Sequence, residues 1–157
     1  MNLLPIFVAA SGAHDVHIAT PQPKPFIPSG GFMKDARTKT VAIVEDDPSV
    51  RPALERILTL AGFHVEGFDT AEEYLAAVSR VRADCLVCDV YLPGLSGFAL
   101  RRELVRAGSM VPVIFITAHD SAEVRAEALA VGAKTYLPKP FEGSALVRAT
   151  CEATRST

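Results

Sequence analysis

The stretch VAIVEDDPSV, residues 41–50, decides how this chain is read. Four apolar residues run straight into three consecutive carboxylates, Glu45, Asp46 and Asp47, followed by Pro48. The apolar half has the length and β-branched content of a buried strand. The acidic half is electrostatically costly, because two like charges about 4 Å apart repel by roughly 4 kcal/mol at an effective dielectric of about 20. Acids crowded at the end of such a strand point to a cation, or to cation-dependent chemistry, close by.

The rest of the chain narrows the classes. Its 157 residues, 49% of them hydrophobic, suffice for one globular core, and a formal charge of −2 leaves no basic footprint for DNA or RNA. No apolar stretch approaches the length of a membrane span. Three unclustered cysteines describe no disulfide framework, and a soluble, cytoplasmic protein is expected. Cys85 and Cys88 have CxxC spacing, but they lie in the strand-like run DCLVCDV, where side chains three apart point to opposite faces; both read as small buried hydrophobes. Cys151 falls in the last helical pattern and receives no role.

Residues 1–38 differ in kind. MNLLPIFVAA is apolar, PQPKPFIPSGG is rich in proline and glycine, and neither has an amphipathic period, so a disordered N-terminal extension is expected. A signal peptide would want a basic residue ahead of the apolar run, and none precedes Lys24. Met33, opening the polar lead-in MKDARTK, is an alternative start. The folded domain is expected over 39–157.

From residue 40 onward short apolar runs alternate with longer amphipathic ones, the pattern of a parallel sheet covered by helices on both faces. Strands are expected at 40–44, 63–67, 84–88, 112–116 and 134–137. VAIV, CLVC and VIFI, apolar at every position, read as central strands, and the more polar HVEGF reads as an edge. Val50, Leu54, Ile57, Leu58 and Ala61 recur at helical spacing, as do Phe98, Leu100, Leu104 and Val105. Thr70 with Glu73 and Asp120 with Glu123 have capping-box spacing, and Gly62 and Gly132 stand where helices want a left-handed terminator. Five strands and five helices fit.

Ligands of open α/β sheets bind at the carboxyl ends of the strands. The residues at those ends are Glu45, Asp46 and Asp47 after the first strand, Asp89 after the third, Thr117 after the fourth and Lys139 beyond the fifth. Apart from Glu45 and Asp46, each has an ordinary explanation taken singly. Asp47 before Pro48 makes a good helix N-cap, Asp89 can open a turn, Thr117 can cap a helix, and Lys139 can be a solvated lysine. Together they describe a metal-assisted phosphoryl site. Hard carboxylates suit Mg²⁺ (or Mn²⁺), which takes one or two carboxylates plus phosphate oxygens. A further carboxylate, Asp89, can act as nucleophile toward phosphorus, while Lys139 and Thr117 can stabilise the charge on the transferred group.

In VAIVEDD, CDVYLPGLSG, VIFITAHD and TYLPKPF, in that order, residues 39 to about 154 resemble the receiver domains of two-component response regulators, most closely those of FixJ-type nodulation and nitrogen-fixation regulators. The resemblance implies a doubly wound, CheY-like fold with strand order 2-1-3-4-5. It implies that Asp89 accepts phosphate from a sensor histidine kinase. Glu45 and Asp46 would form the acidic pair, with Asp46 the more direct Mg²⁺ ligand, Asp89 sharing the metal and Tyr91 giving its backbone carbonyl. Lys139 would contact the phosphoryl group, with a cis peptide before Pro140. Thr117 would close onto a phosphoryl oxygen and Tyr136 rotate inward behind it, altering the face built by the fourth helix, fifth strand and fifth helix. Tyr91 and His119 stand where receivers tune loss of the phosphoryl group. Self-phosphorylation and self-dephosphorylation would be its only chemistry, so the chain is not expected to be an enzyme in the wider sense.

Leu92 in place of the usual methionine and Glu45 in place of the commoner aspartate are mild departures. EGSALVRATCEATRST, after Phe141, supplies one helix and no recognition helix, so direct DNA binding is not expected. The reading is a stand-alone phosphorelay receiver that controls an unknown downstream protein, with a homodimer through the last helix pair as a further partner, although LVRATCEATRST is short and offers no clear seam for it. The alternative is a receiver-shaped adaptor or dimerisation module that is never phosphorylated.

Overall fold

A computed structural model of the protein describes residues 37–155. Nearly all of the N-terminal extension, and with it the alternative start at Met33, lies outside the described residues. The elements alternate throughout: β1 (Thr40–Val44), α1 (Val50–Leu60), β2 (His64–Phe68), α2 (Ala71–Val81), β3 (Cys85–Asp89), α3 (Gly97–Arg106), β4 (Val113–Thr117), α4 (Ala122–Ala130), β5 (Thr135–Pro138) and α5 (Gly143–Arg155). All strand pairs are parallel, and the order is β2-β1-β3-β4-β5. This is the doubly wound architecture expected from the sequence, with HVEGF at one edge.

The central strands are buried from end to end apart from Thr40, because helices cover both of their faces. Alternation divides the core in two. Val41, Ile43, Cys85, Val87, Ile114 and Ile116 pack with Leu54 and Leu58 of α1 and Leu146, Ala149 and Ala153 of α5. On the other side Ala42, Val44, Leu86, Cys88 and Phe115 meet α2, α3 and α4, an aromatic layer in which Phe98 and Phe115 stack edge to face at 4.9 Å. Cys85 and Cys88 therefore lie on opposite faces, as the strand reading required. Burial pushes both thiols up, Cys85 to about 12.

Two details differ from the sequence pattern. Strands β2 to β5 each begin and end one residue later than expected; in β3, β4 and β5 the ladder runs on past the last residue of the apolar run. Asp89 and Thr117 are thus the final rungs of β3 and β4, paired with Ile116 and Pro138, rather than loop residues. Ala61 and Val105 are exposed, since the apolar stripes of α1 and α3 turn away from the sheet before reaching them.

The helix ends are set locally. Gly62 (φ +97°) and Gly132 (φ +77°) close α1 and α4 in the left-handed region. Thr70 accepts from the Glu73 amide at 3.1 Å, but Glu73 reaches back to the Asp69 amide instead of that of Thr70. At α4 the cap is Ser121, whose Oγ accepts from the Val124 amide at 3.2 Å; Asp120, the expected cap, is drawn away by Arg125. Arg101 of α3 donates to the carbonyls of Val131 (3.2 Å) and Val111 (2.9 Å), satisfying one of the orphan carbonyls at the end of α4.

Candidate functional site

Strand order reverses between β1 and β3, which opens a crevice at their carboxyl ends. The alternation that turns Val41 and Ile43 toward α1 and α5 carries Glu45 to the same side, and the Glu45 amide prolongs the sheet by donating to the Phe68 carbonyl at 3.1 Å. Val87 and Asp89 follow the same alternation on β3. Gly97, the first residue of α3, fits behind Asp89 because it lacks a side chain: a Cβ there would come within 2.2 Å of the Asp89 carbonyl oxygen. The Lys139–Pro140 peptide is cis, and the Lys139 amide donates to the Thr117 carbonyl at 2.7 Å.

Lys139 lies between the two acids. Its Nζ donates to Glu45 Oε2 at 2.6 Å and to Asp89 Oδ2 at 2.8 Å. Glu45 is 1% exposed and Asp89 7%. Burial raises the Glu45 pKa above the ordinary carboxylate value, against the pull of Lys139 and the Asp47 amide. Burial also works against the Lys139 ammonium, but its hydrogen bonds to Asp89 and Glu45 prevail and hold its pKa above that of a free lysine. The remaining oxygens of the two acids are committed as well: Glu45 Oε1 accepts from the Asp47 amide (3.1 Å) and Asp89 Oδ1 from the Tyr91 amide (2.9 Å).

Asp46 is different. It is exposed, and its carboxylate forms no hydrogen bond or ion pair among the described residues. Glu45, Asp46 and Asp89 bring carboxylate oxygens within 4.8 Å of one another. Three hard oxygen donors, one of them uncommitted and facing solvent, fit a small divalent cation that keeps several waters. Asp47 is turned the other way. Its Oδ1 accepts from the Ser49 amide and hydroxyl (both 2.8 Å) and the Val50 amide (3.3 Å), closing the turn into α1, and these bonds hold its pKa low.

These residues border a cavity of about 390 Å³ completed by Pro48, Tyr91, Ala118 and His119. Tyr91 and His119 stack edge to face at 5.2 Å and form one wall. Thr117 and Tyr136 stand outside the cavity, on the other side of the sheet. Thr117 is fully buried, and its Oγ1 accepts from the His119 amide at 3.1 Å. Phe115 pairs with Tyr136 in register, so Thr117, two residues on, shares a face with that ring. The Tyr136 hydroxyl donates to Asp120 Oδ1 at 3.2 Å. Thus Glu45, Asp46, Asp89 and Lys139 converge, while Thr117 and Tyr136 form a separate pair beside α4. Sequence reading missed Gly97 and the Asp120–Arg125 pair; the acid at 120 had a signal, but it resembled a cap.

Comparison with known proteins agrees with this geometry. The family model described as the response regulator receiver domain matches residues 41–150. Nodulation protein W of Bradyrhizobium diazoefficiens is 38% identical over 125 residues, covering 80% of this chain and 55% of that protein. The DNA-binding transcriptional regulator NtrC of Klebsiella pneumoniae is 41% identical over 100 residues, covering 64% of this chain and 21% of that protein. The chain thus spans between about a fifth and about half of the length of these relatives. The crystal structure of FixJ-N superposes with a TM-score of 0.72 at 36% identity, covering 77% of this chain and 97% of that one. The chain belongs to the response regulator receiver domain family.

Proposed function

We propose that the protein is a phosphorelay receiver in which Asp89 accepts a phosphoryl group in a Mg²⁺-dependent reaction. The observation that carries this reading is the juxtaposition of a buried nucleophilic carboxylate, a lysine at 2.8 Å from it and an uncommitted acid, Asp46, at the rim of one cavity. The donor is a phosphohistidine of a sensor kinase. An Asp89 oxygen forms an O–P bond as the donor's N–P bond breaks, and the electron pair stays on the imidazole nitrogen, which takes up a proton. Asp46 and Asp89, with the Tyr91 carbonyl and the charge of Glu45, would hold Mg²⁺, which supplies charge neutralisation at the phosphoryl oxygens.

Lys139 orients Asp89 before transfer and is placed to turn to a phosphoryl oxygen once the carboxylate is esterified. Glu45 keeps the ammonium within the crevice. Thr117, released from the His119 amide, would donate its hydroxyl to the phosphoryl group. Tyr136, on the same face, would follow inward and reshape the α4-β5-α5 surface that a downstream protein reads. Inverting a two-state population from 1:99 to 99:1 needs roughly 5.5 kcal/mol of differential stabilisation, within reach of one charge-assisted and one neutral hydrogen bond plus the metal.

The test is phosphate incorporation. Wild type and Asp89→Asn are incubated with acetyl phosphate, with and without Mg²⁺, and resolved on a phosphate-affinity gel. A Mg²⁺-dependent shifted band absent from the variant is expected. A folded wild type that never shifts would overturn the reading in favour of an unphosphorylated adaptor.

A further inference from the structure

We propose that Asp120, Arg125 and Tyr136 form a latch that holds the protein in its unphosphorylated conformation, with Asp120 the positioning residue at its centre. The inference rests on the function proposed above and adds to it the element that sets the resting state.

The three groups come from three elements. Asp120 follows β4, Arg125 lies in the first half of α4, and Tyr136 is on β5. Asp120 Oδ1 accepts from Arg125 Nε at 2.7 Å and from the Tyr136 hydroxyl at 3.2 Å, while Oδ2 pairs with Arg125 Nη2. A two-pronged guanidinium to carboxylate pair fixes the plane of the acid, and so the direction from which the phenol can approach. The pair also costs α4 its expected cap, which passes to Ser121. Among the described residues these bonds are what commits the Tyr136 hydroxyl to the outside of the sheet.

The consequence for switching follows from chain connectivity. Thr117 is three residues ahead of Asp120, and its hydroxyl is itself tied to the His119 amide. Any displacement that brings Thr117 toward Asp89 drags this short segment and strains the fork on Arg125. Any inward turn of the Tyr136 ring toward Thr117 breaks its bond to Asp120. Both movements assigned to activation therefore work against one carboxylate. α4 offers little resistance of its own, since it buries only Ala128 and is flanked by an open cleft of about 700 Å³ on its N-terminal side and a groove of about 220 Å³ toward β5. Holding the resting state thus falls to the latch rather than to packing.

The test uses the full chain. Tyr136→Phe keeps the ring and removes the hydroxyl; Asp120→Ala removes both sets of bonds; Asp120→Asn keeps an acceptor for the phenol but not the charge that holds Arg125. In the unphosphorylated proteins the nuclear Overhauser effect between the ring at 136 and the Thr117 methyl reports the inward population, and beryllofluoride affinity in Mg²⁺ reports the cost of closing the switch. Tyr136→Phe and Asp120→Ala are expected to strengthen the ring-to-methyl effect and to tighten beryllofluoride binding by about threefold or more, with Asp120→Asn between them and wild type. Unchanged effects and affinities in folded Tyr136→Phe, whose single missing atom does not threaten folding, would overturn the latch. If wild type and variants alike ignored beryllofluoride, the phosphoacceptor reading would fall, while the ring-to-methyl comparison, which needs no phosphoryl mimic, would still decide the latch.

Discussion

The site straddles the sheet, and its two sides are built on different terms. On the α1 and α5 side, Glu45, Asp89 and Lys139 stand on the ends of three strands backed by helices that are sunk into the core. α5 buries Leu146, Ala149, Thr150, Ala153 and Thr154, and the hydroxyls of Thr150 and Thr154 fold back onto the carbonyls of Leu146 (2.8 Å) and Thr150 (2.9 Å). On the other side Thr117 and Tyr136 are neighbours of α4, which buries Ala128 alone and leaves Leu129 77% exposed. Chemistry that depends on fixed distances is set against the rigid side. Thr117 and Tyr136, the groups proposed to change partners, are set beside the helix with the least burial to lose, which places that helix at the low end of local stability.

Four substitutions test that contrast, in order of expected effect. Removing Lys139 attacks the rigid side most directly: Lys139→Met leaves two buried acids facing each other and is expected to cost about 3–5 kcal/mol near neutral pH in a denaturant titration. Its pH dependence has a definite sign. Glu45 already binds its proton more tightly than an ordinary glutamate, so the native state of the variant holds more protons than the unfolded chain. The variant should regain stability as pH falls and lose it as pH rises through the raised Glu45 pKa; a penalty independent of pH would mean that burial does not raise the Glu45 pKa.

Leu146→Ala is expected to cost about 2–5 kcal/mol, since the side chain is fully buried beneath α5. Gly97→Ala pushes a methyl against the Asp89 carbonyl and should cost about 1–3 kcal/mol, with slower phosphate incorporation if Asp89 is the acceptor proposed above, because β3 must shift. Leu129→Ala, on the exposed side of α4, is expected to stay within about 0.5 kcal/mol of wild type. A Leu129→Ala loss as large as that of Leu146→Ala would abolish the distinction between the two helices. Amide hydrogen exchange sharpens it, with α4 protected less than α5; equal protection would place the mobility elsewhere.

What was legible in the sequence follows the same division. The rigid side was readable because burial on both faces forces unbroken apolar runs, and because acids at strand ends have no ordinary explanation when taken together. The exact rungs were less so: Asp89 and Thr117 continue the ladder although they are polar, and an apolar pattern stops one residue short of them. The α4 side was hardest. Its helix buries a single alanine, so its sequence carries little period, and Asp120 has the spacing of a capping box with Glu123 while its actual partners, Arg125 and Tyr136, depend on how β4, α4 and β5 come together. Side-chain pairs made across elements leave no fixed spacing for a pattern to match.

The placement of the cysteines on the two faces of β3 has a practical consequence. Cys85 and Cys88 are wholly buried, and Cys151, half-buried on α5, is the remaining one of the three thiols in the chain. A thiol reagent added to native protein should therefore mark one position and then stop, and the two slower equivalents should appear only as the sheet opens. The unaltered chain thus carries a single-site handle on α5 for a fluorophore or spin label, and an internal count of how many molecules have unfolded.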